Sequence, residues 1–437
     1  MKKGATSGPD AMLAGSALSV VAKPNAEVEI PAEVFRERLS EWYREHARKL
    51  PWRGVSDPYA TWLSEIMLQQ TRVATVIDRY HEFLARFPTL DALAAAEESE
   101  VLALWSGLGY YRRARMLHRG AQFVVRELHG KLPRTASELR TLPGVGDYTS
   151  AAIASIAFGE SVAVVDGNVE RVLLRIMGLP EERSSKARAI VAKVAQSLVP
   201  AATRRRGRNS RTNPPGDHNQ AMMELGATVC LPKSPLCLQC PVVELCRTRG
   251  EHPTAPREKQ QSRIVAHLLA LRKSGTITEV LLELRPRNAS LMPGMLELPP
   301  LPLDAVKGRE PVLRVRHAIT NTNYYAQIFA EGAAGTMPSA ASEEAFEDGQ
   351  DAAEEQIVAL AVDEVPNEDD AVFVADPHDA GPYELHGLPS LLNEIPAAAG
   401  DLHWTPASRL RELPLTGLAR KVLQRLGVMT VPTLRIG

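Results

Sequence analysis

A tight turn that leads into a helix, followed by an aspartate, could bind a phosphate and supply a carboxylate. Residues 142–149 read LPGVGDYT. The proline and the glycines Gly144 and Gly146 predict a turn that leaves the backbone N–H groups of residues 144–148 uncovered. Such amides at a helix N-terminus suit one phosphate and read no base sequence. Asp166 follows about one helix later. For this segment alone, an ordinary helix-turn-helix with Asp166 as an N-cap is an equal alternative.

A second carboxylate, Glu65, lies among apolar residues. The periodicity of its segment predicts a helix that turns Trp62 and Ile66 inward, so Glu65 sits beside apolar side chains. A carboxylic acid in such surroundings has a raised pKa and can give its proton to a leaving group near neutral pH. The alternative is a surface glutamate that is paired with Arg72 or another cation.

All four cysteines lie between residues 230 and 246, which argues against a secreted disulfide scaffold. Cys230, Cys237, Cys240 and Cys246 have the spacing C-x6-C-x2-C-x5-C. Structural zinc sites usually have paired C-x2–4-C knuckles, whereas a run of thiolates suits an iron–sulfur cluster. Zinc and unligated thiols stay as alternatives.

The charge divides the chain in two. Residues 1–260 carry 36 Lys+Arg against 28 Asp+Glu, a net +8, whereas residues 261–437 carry 15 against 24, a net −9. The positive half suits a polyanionic partner. A length of 437 residues predicts two or three domains. No apolar run approaches the roughly 18 residues of a membrane span, so we expect no membrane association.

The first part of the chain has helical periodicity throughout. Apolar residues recur at three- and four-residue steps, and no convincing strand alternation precedes residue 260. Asp57 and Pro58 mark one helix start. The pattern therefore predicts an all-α domain over residues 31–250, with helices at 33–49, from 57, and at 75–87, 91–105, 110–129, 135–141, 149–158, 168–177, 185–198 and 217–229.

The pattern changes to period two in the second part, which predicts an α+β domain over residues 263–437. The strands are expected at 264–271, 276–283, 312–315 and 324–329, with a closing helix at 415–426. Four segments have no predicted fold: a disordered tail at 1–30, a basic loop at 203–215, a linker at 251–262 and a disordered acidic insertion at 335–370. The basic loop is either a solvated insertion or a phosphate contact.

Four motifs together resemble the MutY-type adenine DNA glycosylases of the endonuclease III superfamily. They are WLSEIMLQQTRV at 62–73, GLGYY at 107–111, the turn and aspartate at 142–166, and NQAMMELG at 219–226 leading into the cysteines. The resemblance is strong from Glu33 to Cys246 and weaker to the C-terminus. It implies a helix-hairpin-helix glycosylase domain with a [4Fe–4S] cluster on the four cysteines, followed by a Nudix-like domain.

The resemblance also implies a reaction. In this family, adenine that is mispaired with 8-oxoguanine or guanine is flipped out of duplex DNA and its N-glycosidic bond is hydrolysed. Glu65 would protonate adenine N7 and later activate water, Asp166 would stabilise the sugar cation, and Asn168 would hydrogen-bond within this pair. Tyr148 stands where the strand-cutting relatives have the Schiff-base lysine, which favours a monofunctional enzyme. The rivals are another mismatch glycosylase, for example one for thymine, and a catalytically silent DNA-binding scaffold.

Further site residues come from the same matches. Gln70, Thr71, Leu108 and Tyr110 correspond to the region that wedges into the base stack, although Tyr110 and its neighbour are alternatively core residues. Positions near the adenine pocket are matched by Arg48, Trp52, Arg53 and Glu224. A monomer is expected, in the cytoplasm and associated with the nucleoid.

The second domain departs from its family. The segment MPGMLELP at 292–299 resembles the start of a Nudix-like fold, but the glutamate-rich Nudix box is absent. We therefore expect this domain to bind rather than hydrolyse. The family's lesion-reading motif, His-x-Phe-Ser-His, is matched by HAITN at 317–321. His317 and the Thr320 hydroxyl match, but Asn321 replaces the second histidine, which leaves the lesion contact open.

Overall fold

The computed structural model describes residues 30–55, 57–181, 184–202, 213–252, 260–332 and 390–429. The tail predicted at 1–30 lies outside these residues except for residue 30, as do most of the basic loop and of the linker. The acidic insertion at 335–370 also lies outside them.

The first domain is all-α over its described residues, as predicted. Its helices are α1 (Ala32–His46), α2 (Pro58–Leu68), α3 (Val73–Arg86), α4 (Leu90–Ala94), α5 (Glu98–Leu104), α6 (Arg112–Glu127), α7 (Ala136–Leu139), α8 (Asp147–Phe158), α9 (Gly167–Met177), α10 (Ser185–Leu198) and α11 (Pro214–Thr228). None of the described helices is both long and apolar enough to cross a membrane.

Helix boundaries follow local chemistry. Asp57 caps α2 as predicted, since its side chain accepts a hydrogen bond from the Tyr59 amide. The single helix expected at 91–105 is wrong, because the chain breaks at residues 95–97 and buries the apolar faces of α4 and α5 separately. The helix expected from 110 begins at Arg112, because Tyr110 has a left-handed φ of +48° that a right-handed helix cannot contain.

Two hydrophobic cores meet in the first domain. One is built around Trp62 and Trp105 and includes α2 and α6. The other is built around Phe35 and Leu173 and includes α1, α9 and α11. Helix α8 packs against α2 in the first core and also contacts α11, which belongs to the second core. Residues from both halves can therefore reach one site between them.

The second domain is α+β over its described residues, as predicted. Its strands are β1 (Gln261–Ser274), β2 (Ile277–Leu284), β3 (Leu296–Glu297), β4 (Pro300–Leu301), β5 (Leu313–Ile319), β6 (Thr322–Gly332) and β7 (Asp401–Pro406), and its helix is α12 (Gly417–Arg425). The sheet order is β3-β2-β1-β6-β5, with β7 paired to β2 and β4 paired to β1. Only β1 and β6 are parallel among these pairs. The sequence patterns missed β3 and β4, which are two residues long, and β7, which follows the acidic insertion.

Candidate active site

Glu65 lies on α2 in the interior of the first domain, where its side chain is only 5% exposed. The Tyr148 hydroxyl donates a 2.6 Å hydrogen bond to Glu65 Oε2. Burial raises the pKa of Glu65 to about 7, and the hydrogen bond from Tyr148 offsets this rise only in part. A substantial fraction of Glu65 is therefore protonated at neutral pH. The surface-glutamate alternative is wrong, because the side chain is buried and bonded to Tyr148.

Asp166 is the N-cap of α9, which fixes both of its carboxylate oxygens. Oδ1 accepts a 2.7 Å hydrogen bond from the Val169 amide, and Oδ2 accepts a 2.9 Å hydrogen bond from Asn168 Nδ2. The positive end of the helix dipole also favours a negative charge at this position. The N-cap role and a chemical role for Asp166 are therefore compatible, because the cap holds the carboxylate in one orientation.

The two carboxyl groups are close enough to interact electrostatically. After burial and the hydrogen bond from Tyr148, the negative charge of Asp166 is the next contribution to the pKa of Glu65, and it raises that pKa. It also adds to the rise in the pKa of the buried Tyr148 hydroxyl, for which burial is the main cause. One protonated carboxyl group beside one carboxylate is the pair that acid-catalysed cleavage of a glycosidic bond requires.

Two arginines around the buried carboxylate of Glu224 border this site. Arg48 donates bidentate hydrogen bonds of 2.8 and 2.9 Å to Glu224, and Arg53 donates a third of 2.6 Å. Burial opposes the ionisation of Glu224, but these hydrogen bonds outweigh it and lower the pKa of Glu224 to about 2. The charge of Arg53 also lowers the pKa of Glu65 slightly. Three of the four residues predicted near the pocket therefore form one charged cluster.

The fourth residue predicted near the pocket, Trp52, belongs to the core. Its ring is buried and meets the Tyr80 ring edge-on, with the centroids 5.5 Å apart. The structure therefore gives Trp52 a packing role under the site.

Two exposed residues stand in strained backbone conformations beside the site. Gln70 and Tyr110 have φ values of +55° and +48°. The side chain of Tyr110 is 48% exposed, so the core alternative for it is wrong. Arg113 ties their loops together, since it donates 2.9 Å hydrogen bonds to Thr71 Oγ1 and to the Leu108 carbonyl oxygen. The side chain of Leu108 is buried, so this residue takes part in the loop contact only through its carbonyl oxygen.

The predicted hairpin turn is present. Gly144 has a φ of +77°, and a Cβ placed on it would lie 2.4 Å from Met116 Cβ, so only glycine fits. Gly146 is the N-cap of α8 and is exposed. The expectation that all five amides are free is wrong for Val145, whose N–H donates a 3.1 Å hydrogen bond to the Leu142 carbonyl oxygen.

The four cysteines line a common pocket and form no disulfide. Arg175 donates hydrogen bonds to the Cys230 sulfur, at 3.4 Å, and to two carbonyl oxygens of the loop. Among the described residues, no group of three or more His, Cys, Asp or Glu side chains is arranged to hold a metal ion. Four thiol groups around one pocket are a donor set that an iron–sulfur cluster can use.

Side-chain hydrogen bonds connect the cysteine loop to Asp166. Arg171 donates a 2.9 Å hydrogen bond to the Cys230 carbonyl oxygen and a 3.0 Å hydrogen bond to Asn168 Oδ1. Asn168 in turn donates to Asp166. These contacts therefore link the cysteine loop to one of the two hydrogen bonds that orient the carboxylate.

The candidate lesion contacts lie apart from these groups, in the second domain. His317 is on β5, and Thr320 with Asn321 forms the two-residue turn between β5 and β6. Thr320 has a left-handed φ of +55°, and both turn residues are exposed. The Gln261 amide donates a 2.9 Å hydrogen bond to the Asn321 carbonyl oxygen, which anchors the turn to β1.

Sequence patterns missed the two arginines that organise the site, Arg113 and Arg171. Each has several backbone acceptors from segments distant in the chain, and no periodicity records such contacts. Nothing in the sequence separates Arg113 from its neighbours Arg112 and Arg115. For Arg171, the only signal is its position five residues after Asp166.

Comparisons with known proteins cover about half of this chain or less. Residues 63–197 match the family model of the HhH-GPD superfamily base excision DNA repair proteins. The adenine DNA glycosylase of Homo sapiens is 50% identical over 228 residues, which are 49% of this chain and 39% of that protein. The adenine DNA glycosylase of Schizosaccharomyces pombe is 39% identical over 244 residues, 51% of this chain and 50% of that protein. The chain spans about half the length of the relatives it matches.

Among solved structures, a thermostable thymine-DNA glycosylase is 30% identical, with a TM-score of 0.44. The match covers 50% of this chain and 96% of that one.

The raised pKa of Glu65 should make stability depend on pH. Its pKa rises from 4.5 to about 7 on folding, so the folded state binds more protons between these values and its stability falls as the pH rises through them. Glu65→Gln removes the cost of ionising the buried group. The gain in the free energy of unfolding, measured by urea denaturation, should therefore be larger at about pH 8 than at about pH 5.

Glu37→Gln is the matched control, because Glu37 is exposed on α1. Its effect on stability should be small at both pH values. An equal effect of Glu65→Gln at the two pH values would contradict the raised pKa.

Proposed function

Because the chain belongs to the HhH-GPD superfamily of base excision DNA repair proteins, we propose that it is an adenine DNA glycosylase. Its substrate is duplex DNA in which adenine is mispaired with 8-oxoguanine or guanine, and it acts as a monomer inside the cell. The observation that carries the proposal is the buried, protonatable Glu65 next to the carboxylate of Asp166.

The reaction uses the two carboxyl groups in turn. Protonated Glu65 gives its proton to N7 of the flipped adenine, and the electrons of the glycosidic bond leave with the base. Asp166, held by the first turn of α9, stabilises the positive charge that develops on the sugar. The Glu65 carboxylate then takes a proton from the water that adds to the sugar. This step returns Glu65 to its starting state and leaves an abasic site.

The position of Tyr148 supports a monofunctional enzyme. Its hydroxyl is bonded to Glu65 and lies beside Met223, where a strand-cutting enzyme would need a nucleophilic amine. A phenol cannot form a Schiff base with the sugar. Cleavage of the DNA strand is therefore left to a separate step.

The surfaces around the site suit a flipped base. Gln70 and Tyr110 project from strained loops and replace the base in the stack. The glycines Gly144 and Gly146 let the hairpin backbone approach one phosphate. Phosphate contacts of this kind position the duplex and leave recognition of the base to the pocket.

The second domain is proposed to be Nudix-like and to contact the base opposite adenine. The exposed turn at Thr320 and Asn321 is the supporting feature, because it presents a hydroxyl and an amide at the tip of a hairpin. An amide can both donate and accept hydrogen bonds, so Asn321 can serve where the family has histidine.

The four cysteines are proposed to hold a [4Fe–4S] cluster, with the thiolates of Cys230, Cys237, Cys240 and Cys246 as its ligands. When bound, the cluster would cross-link the loop and take no part in the hydrolysis. The chain's own contribution is to hold that loop through Arg175 and, through Arg171, to keep the carboxylate of Asp166 oriented.

The proposed activity is tested with duplexes that carry A opposite 8-oxoguanine, A opposite G, T opposite G, and A opposite T. The wild type should release adenine from the first two, and the strand should stay intact until alkali is added. Glu65→Gln and Asp166→Asn should each lower the excision rate by about 10²–10⁴-fold, because proton donation or charge stabilisation is lost. Glu37→Gln is the control.

Release of thymine alone would identify the rival mismatch glycosylase, and no release from any duplex would identify a silent scaffold. Asn321→Ala should lower excision opposite 8-oxoguanine more than opposite plain guanine. Equal ratios would remove the turn from lesion recognition and leave the excision activity intact.

The cluster proposal predicts a brown protein with broad visible absorbance. Cys237→Ala should lose this absorbance, whereas Ser234→Ala, in the same loop, should keep it. A colourless protein that contains only zinc would contradict the proposal.

A further inference from the structure

The loop that carries Tyr110 is held at both ends by the second domain. We call residues 107–110 the wedge loop. Its flanking residues, Ser106 and Tyr111, are 0% and 4% exposed. Both hydroxyl groups donate hydrogen bonds to the carbonyl oxygen of Leu415, at 3.3 Å from Ser106 and 3.0 Å from Tyr111. One backbone oxygen of the second domain therefore binds both ends of the loop.

Arg420 adds a third hydrogen bond to this contact. Its Nε donates a 2.6 Å hydrogen bond to Ser106 Oγ from the first turn of α12. Thr416 fixes the start of that helix, because its hydroxyl accepts from the Ala419 amide at 3.1 Å and donates to Glu297 at 2.5 Å. Glu297, from the MPGMLELP segment, is buried. Its hydrogen bond with Thr416 therefore fixes the start of the helix that carries Arg420.

The wedge loop needs such support. Gly107, Gly109 and Tyr110 have φ values of +96°, +65° and +48°. A residue other than glycine persists in this region only where its surroundings over-determine the conformation. Arg113 holds the middle of the loop through the Leu108 and Gly109 carbonyl oxygens, and the second domain holds its ends.

The contact is separable from the rest of the domain interface. Met295 of the second domain is fully buried in the core around Trp62, and Arg115 donates a hydrogen bond to the Pro293 carbonyl oxygen. These contacts keep the domains together without Arg420. Removing Arg420 should therefore release the loop and leave the domains docked.

We propose that Arg420 and the Leu415 carbonyl group are positioning elements for the wedge loop, so that the second domain supports base flipping as well as lesion recognition. The inference rests on the proposed function, because Tyr110 acts on a duplex only if the protein extrudes a base. Loss of the loop contact should differ from loss of Asn321 in its effect on the ratio of excision opposite the two bases. The loop contact should change excision opposite 8-oxoguanine and opposite guanine by the same factor, since both pairs require the same flipping step.

The test compares the full-length wild type with Arg420→Met and Tyr111→Phe. Arg409→Met is the matched control, because Arg409 precedes α12, carries the same charge and is 66% exposed. Hydrogen exchange of the amides of residues 107–111 is measured without DNA. Exchange should be roughly tenfold faster or more in Arg420→Met and Tyr111→Phe, and unchanged in the control. Tyr111→Phe removes one oxygen atom and keeps the packing, so it remains informative if Arg420→Met folds poorly.

Single-turnover excision is then measured on both mispaired duplexes. Both variants should excise adenine roughly tenfold more slowly than the wild type, with an unchanged ratio between the duplexes. Arg420→Lys, which keeps a donor, should recover part of the loss. If exchange and excision in both variants match the control, the proposal is overturned. Faster exchange at Met295 as well as in the loop would also overturn it, because the contact would then only dock the domains.

The exchange measurement needs no catalysis, so failure of the proposed function can be distinguished from failure of the positioning contact. If the wild type releases no adenine while the loop amides respond to Arg420→Met, the positioning contact stands and the assigned substrate is wrong.

Discussion

A carboxylic acid that keeps its proton near neutral pH is the constraint on which this structure depends. Glu65 reaches that state by burial, because α2 surrounds it with the side chains of the first core. Burial of an ionisable group lowers stability whenever it must ionise, so the fold accepts a local cost to obtain an acid. Tyr148 limits the cost, since its hydroxyl stabilises the ionised form that the reaction produces. The same contact keeps the pKa of Glu65 near 7, where both proton donation and recovery are feasible.

The remaining elements set the geometry around this acid. The two cores bring Glu65 of α2 to Asp166 of α9, and the N-cap position gives Asp166 a fixed orientation. Arginines then connect separate segments: Arg171 joins Asp166 to the cysteine loop, and Arg113 joins the loops of the exposed residues beside the site. An arginine suits this role because its five donors lie in a fixed plane and can satisfy several carbonyl oxygens at once. In the second domain, Arg420 connects segments in the same way, since it joins α12 to Ser106 of the first domain.

How much of this was predictable depends on the range of the interactions involved. Helical periodicity predicted the all-α domain, and Asp57 predicted a helix start, because both depend on neighbours in the chain. The apolar surroundings of Glu65 predicted its raised pKa for the same reason. Local patterns could not predict the break at 95–97, which arises from tertiary packing, or the left-handed Tyr110. Local patterns also missed the partners of Arg113 and the hydrogen bond from the Thr416 hydroxyl to Glu297, because those contacts join residues far apart in the sequence.

The pH dependence of single-turnover adenine excision tests the central claim most directly. If protonated Glu65 is the acid, the rate should fall as the pH rises through about 7. Tyr148→Phe removes a hydrogen bond that lowers the pKa of Glu65, so the same fall should move to higher pH in this variant. A rate that rises with pH across this range, or a midpoint that is identical in wild type and Tyr148→Phe, would contradict the account.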